Sequence, residues 1–157
     1  MLIDLPDGVQ LARFTEQKIL ECWNKLKAFD KIFHKEPSFE RFRSTMLHPK
    51  VVVVEAEFGL FIAKEVPGRP WDREVHIPFW DKKLSAHKEL CKSLLVWLFF
   101  QFELERITAY VAEHSPAIRR FVEKLGFIRE GCLRKGMNYR GELMNLYIYS
   151  MLRDEVL

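Results

Sequence analysis

Apolar positions recur every three or four residues at Ile19, Leu20, Trp23 and Leu26, which predicts a helix with one buried stripe, capped by Thr15. A second helix is predicted from Ser38, with Phe39, Phe42 and Met46 inward. It stops near His48, because Pro49 disfavours helix in the residue before it. The β-branched run Val51–Val54 reads as a strand covered on both faces, and Phe58–Ala63 returns as its hairpin partner. Pro67-Gly68-Arg69-Pro70 predicts a turn, and Glu74–Phe79 alternates weakly as the next strand, with Pro78 at its end. The strongest helical spacing runs from Leu84 through Leu90, Cys91, Leu94, Leu95 and Leu98 to Phe102. Val96, Trp97, Phe99 and Phe100 fill its other side, so protein or a partner must nearly surround it. Arg106–Ala112 reads as a central strand. Ser115 and Pro116 then open a helix as cap and first-turn residue, with Ile118, Phe121, Val122 and Leu125 inward and Gly126 at the left-handed end. Phe127–Leu133 and Leu143–Met151 follow as strands, separated by the polar stretch Arg134–Glu142. With an opening strand the order is β-α-α-β-β-β-α-β-α-β-β, an α/β (α+β) chain with a mixed sheet of about seven strands and flanking helices.

Composition narrows this to one globular domain over residues 1–157: 48% of the chain is hydrophobic and 30% charged, enough for a sizeable core. A formal charge of +3 is too mild to name a partner. Arg129, Arg134, Lys135 and Arg140 with Tyr139 stand among acidic neighbours, which reads as a solvated loop rather than a nucleic-acid patch. The three cysteines, Cys22, Cys91 and Cys132, are far apart and read as core fillers of a reducing compartment, neither a disulfide framework nor a metal knuckle. The longest apolar run, Leu94–Phe100, is far short of the roughly 20 residues that span a bilayer. The start Met1–Asp7 has no basic-then-apolar pattern of a signal peptide. A cytoplasmic protein is therefore expected. No Walker loop, His-Glu-x-x-His or nucleophile elbow occurs, and no metal site is predicted.

Two phrases carry a resemblance. Glu123-Lys-Leu-Gly-Phe-Ile-Arg-Glu-Gly-Cys-Leu-Arg134 and Tyr147-Ile-Tyr-Ser-Met-Leu-Arg153, in this element order, resemble the GNAT superfamily of acyl-CoA N-acetyltransferases, closest to its ribosomal-protein-acetylating branch. The resemblance implies a pyrophosphate loop reading Arg/Gln-x-x-Gly-x-Gly/Ala ahead of the long helix, where close approach of backbone amides calls for glycine. Here that place is held by Lys82–His87, with Ser85 and His87 where the family has small or absent side chains. Lys82, Lys83 and Lys88 would still attract phosphate at the helix start. The family's thiolate-protonating tyrosine corresponds to Val122, and an asparagine before that helix to Ser115, a further cofactor contact if CoA binds. Glu74 and His76 are the candidate general bases for an amine.

None of the seven glycines lies between residues 69 and 125, the interval that should hold the pyrophosphate loop. This favours a GNAT-like fold with an eroded acyl-CoA site, no cofactor, and a non-catalytic assembly role. Trp97, Phe99 and Phe100 would then meet a protein partner. That reading is similar to accessory proteins that tailed phages use for head assembly and internal ejection proteins, which act in the host cytoplasm. The alternative is an acetyl-CoA-dependent N-acetyltransferase acting on a protein N-terminus or a small amine.

Overall fold

A computed structural model describes residues 4–11, 14–27 and 38–156; the first three residues of the N-terminal heptapeptide lie outside it. The elements are β1 (Gln10–Leu11), α1 (Glu16–Leu26), α2 (Phe39–Leu47), β2 (Val51–Ala56), β3 (Gly59–Val66), β4 (Arg69–His76), α3 (Lys88–Gln101), β5 (Arg106–Ala112), α4 (Pro116–Leu125), β6 (Ile128–Tyr139) and β7 (Glu142–Leu152). A 3-10 turn, Leu84–His87, leads into α3. Seven strands form one sheet in the order β1-β2-β3-β4-β5-β7-β6. All pairs are antiparallel except β4 with β5.

Strand alternation sorts the sheet into two faces. Val54, Phe61, Ala63, Val75, Ile107, Ala109 and Tyr149 point to the face covered by α3 and α4. Val53, Leu60 and Ile62 point to the other, where Ile19, Cys22, Leu26, Phe42 and Met46 of α1 and α2 cover β2 and β3. The valine run is thus covered on both faces, as its unbroken apolar character predicts. Thr15 and Ser38 cap α1 and α2, accepting from the amides of Lys18 (3.2 Å) and Arg41 (3.4 Å). Gly126 ends α4 at φ +109°.

Several boundaries differ from the pattern. Leu20 is 49% exposed, and Cys22 takes its place in the α1 stripe. The turn before β4 is confined to Pro67 and Gly68, and the strand runs from Arg69 to His76. Arg134–Tyr139 is not a loop but the second half of β6, paired with β7 down to Tyr139↔Glu142. An edge strand largely exposed on both faces has no apolar alternation to betray it. Ser115 makes no side-chain cap bond, contrary to its expected capping role. Cys132 is exposed on β6 rather than filling the core. No described helix is long and apolar enough to cross a membrane.

Candidate active site

The sheet splits between β4 and β5. Their parallel pairing covers only Asp72↔Arg106, Arg73↔Ile107 and Glu74↔Thr108. Beyond it β5 continues along β7 to Ala112, while β4 bends away with β3. Gly59 fixes that bend. A Cβ there would lie 2.2 Å from the Pro78 carbonyl oxygen, and that oxygen accepts the Leu60 amide at 2.8 Å. The wedge opens into a cavity of about 1120 Å³ that passes from one face of the sheet to the other. On the α3/α4 side its walls include Leu84, Val111, Ser115, Ile118 and Val122; on the α2 side they include Arg41, Thr45, Lys64, Tyr110 and Met137.

Glu74 and His76 both line this cavity, on the face shared with α2. Their i, i+2 spacing puts the side chains on the same side of β4, and His76 Nε2 lies 2.7 Å from Glu74 Oε1. With the carboxylate accepting, the Nε2–H donates and Nδ1 becomes the basic nitrogen of the neutral ring.

At the foot of the wedge a charged clasp joins the two half-sheets. The Asp72 side chain has no exposed surface; its oxygens accept the Thr108 hydroxyl at 2.9 Å and lie 3.2 Å from Arg69 Nε and 3.4 Å from Arg106 Nε. The Arg106 guanidinium also grips Glu130 with both terminal nitrogens, at 2.6 and 2.8 Å. Arg106, joined by the Ser150 hydroxyl, holds the Glu130 carboxyl down at about 2. Sequence reading missed this cluster, because its members are scattered over β4, β5, β6 and β7.

The expected phosphate-holding residues do not converge. Lys82, Lys83 and Ser85 are exposed and Lys88 is half-buried; of this group only Ser115 lines the cavity, with Leu84 from the same turn. His87 is not aimed at the approach of a phosphate. Its Nε2 lies 2.7 Å from Asp81 Oδ2, its ring packs 5.6 Å from Phe58, and its side chain is 13% exposed. Asp81 also accepts the Lys83 amide at 2.9 Å, and these bonds, the histidine's foremost, hold its carboxyl below the usual range. The turn before α3 therefore forms without glycine, with the large side chain tied back. Asp81 gave no motif signal; only its spacing of six from His87 could have marked it.

The proposed partner surface is corrected. Trp97 and Phe99 are 5% and 0% exposed, packed in the core between α3 and the sheet, and of the three only Phe100 is half-buried, beneath the Arg153 guanidinium at 5.0 Å. The bulky helix is enclosed by its own protein.

No family model matches the chain. Over 101 residues it is 29% identical to the protein named "Putative ribosomal N-acetyltransferase YdaF" of Bacillus subtilis (strain 168); the match takes in 64% of this chain and 47% of that one, so the chain spans about half the length of this relative. The fold superposes on a spermidine N-acetyltransferase from Vibrio cholerae in complex with CoA and spermine with a TM-score of 0.74, covering 96% of this chain and 99% of that one at 19% identity. A GNAT-family acetyltransferase from Bacillus anthracis gives 0.75, covering 98% and 99% at 18% identity. The expectation of a chain without a cofactor is overturned by the Vibrio structure, in which this same architecture holds CoA. The fold of this chain is that of the GNAT acetyltransferase superfamily.

Proposed function

We propose that the protein is an acetyl-CoA-dependent N-acetyltransferase, with the cofactor on the α3/α4 side of the wedge and the acceptor amine on the α2 side. One observation carries the reading: the Glu74–His76 pair lines a cavity that crosses the sheet where β4 and β5 part. The acetyltransferase relatives favour this over an assembly role. The wedge fits a long, thin ligand, since its α3/α4 walls are apolar and the β5-facing main chain after Glu74 has no strand beside it. Lys82, Lys83 and Lys88 stand outside the cavity and would hold the phosphates as surface charges at the start of α3, with Ser115, Ile118 and Val122 along the thiol-bearing arm. Bound acetyl-CoA supplies the acyl group as an activated thioester.

The chain's own contribution is proton removal and orientation. An alkylammonium must lose a proton before its nitrogen can attack, and His76 Nδ1, with the ring held by Glu74, accepts that proton directly or through one water. Val122, at the position that corresponds to the family's thiolate-protonating tyrosine, has no titratable proton and serves only as wall. The test is thiol release from acetyl-CoA with peptide and polyamine acceptors. His76→Ala should lower kcat by about 10²-fold, and Glu74→Gln by less with a displaced pH profile. Unchanged rates would remove the pair from the mechanism, and absence of acetyl-CoA binding by calorimetry would sink the reading itself.

A further inference from the structure

A second cavity, of about 620 Å³, opens at the end of β2, β3 and β4 under the C-terminal turn of α2. Ser44, Thr45 and Lys64 line both cavities, so the second chamber adjoins the acceptor side of the first. Its charged lining is one-sided: Lys50, Lys64 and Arg73, with His48, against the single carboxylate of Glu65. Glu65 is shared, 3.5 Å from Arg73 and 3.9 Å from Lys50. Lys64 is half-buried and has no carboxylate within ion-pair distance among the described residues. The Lys50 amide donates to His48 Nδ1 at 3.2 Å, which places that ring's proton on Nε2 as a further donor.

Register fixes where this chamber lies relative to the base. Lys64 stands opposite Glu74 on β4 and opposite Val51 on β2. Two strand spacings of about 4.8 Å put Lys50, the residue before Val51, about 10 Å from Glu74. An extended peptide advances about 3.3 Å per residue, so a terminal amine beside His76 brings the third residue's side chain to Lys64 and Lys50. A polyamine would instead bring a second cation into a chamber where Lys50, Lys64 and Arg73 already outnumber Glu65, at a cost in both repulsion and desolvation.

Resting on the acetyltransferase reading, we infer that the acceptor is a peptide N-terminus with an acidic residue near position three, its carboxylate held by Lys64 at the junction of the two cavities. Lys64 is thus a specificity-determining residue, and the preference it sets is opposite to that for spermidine.

The test has a kinetic and a binding arm. With acetyl-CoA, the tetrapeptide Ala-Ala-Glu-Ala should give a kcat/KM about tenfold or more above Ala-Ala-Lys-Ala and above spermidine, the size expected of one charge-assisted hydrogen bond. Lys64→Glu should invert the peptide order, and Lys64→Arg should largely keep it. Equal rates on both peptides, a preference for spermidine, or an order unmoved by Lys64→Glu in a protein with native circular dichroism would overturn the inference. Calorimetry of Ala-Ala-Glu-Ala with the unliganded protein reads the same chamber without turnover. Binding lost in Lys64→Glu with no acetyl transfer would uphold the chamber and refute the enzyme, whereas no binding and no transfer would refute both.

Discussion

Arg106→Met tests the clasp at the foot of the wedge. The substitution keeps the aliphatic stem and removes one cation from between two carboxylates, Asp72 and Glu130. Because the Asp72 side chain is fully buried, it is left with the Thr108 hydroxyl and Arg69, whose side chain is 45% exposed. Breaking a buried pair from one side costs about 3–5 kcal/mol. The surviving Arg69 contact places this case near the lower end, about 3 kcal/mol. In a chain of this size each kcal/mol moves Tm by about 2–4 °C, so a fall of about 6–12 °C is expected. The acid limb of the stability curve supplies a second reading. The Glu130 carboxyl is held at about 2 against an ordinary 4.5, so its contribution is full above pH 4.5 and drains away as pH falls toward 2. Its side chain is 41% exposed, and solvent screening limits that contribution to about 1 kcal/mol. Urea melts from pH 7 down to 2 should show the variant curve falling by about 1 kcal/mol less than the wild-type curve over this interval, since Asp81 and Glu16 still titrate in both. A loss at pH 7 below about 1 kcal/mol, with the acid limb unchanged, would refute the assignment of the clasp to Arg106.

Two further outcomes follow from burial. Trp97→Ala should cost about 3–5 kcal/mol in urea melts, as truncation of a core aromatic does; near-wild-type stability with loss of a binding partner would restore the surface role. Ellman's reagent should modify one thiol of three promptly, Cys132, while Cys22 and Cys91 react only after denaturation; burial pushes the Cys91 thiol up to about 12 and Cys22 upward as well. Prompt reaction of two or more thiols would contradict this packing.

The fold was readable wherever periodicity and punctuation coincide. Thr15, Ser38 and Gly126 mark helix ends by a side-chain oxygen or a positive φ, and Val51–Val54 marks a two-faced strand. Reading failed where neighbours in space decide. Trp97 and Phe99 look excessive for a helix with one wet face, yet the sheet on one side and adjoining segments on the other enclose them. Glu74 and His76 were legible as candidate bases, but their contact depends on strand pleat and rotamer. The second cavity was illegible, since Ser44, Thr45 and Lys50 meet Lys64 only through the register of β2 and β3 and the placement of α2.

The three-pair junction between β4 and β5 bears on how such a chain drifts over evolutionary time. Where the ladder stops, the main chain of both strands faces a common space, and carbonyls belong to every residue alike and amides to every residue but a proline such as Pro78. A ligand held there by peptide groups is indifferent to which side chains stand at those positions. On the proposed acetyltransferase reading, serine at 85, histidine at 87 and valine at 122 would record divergence without loss, because side chains at those positions would not be the whole of the grip. Selection on such a protein would act on the bend at Gly59, which parts the two strands, and on the clasp that joins them at the foot of the wedge, more strictly than on the letters of a motif.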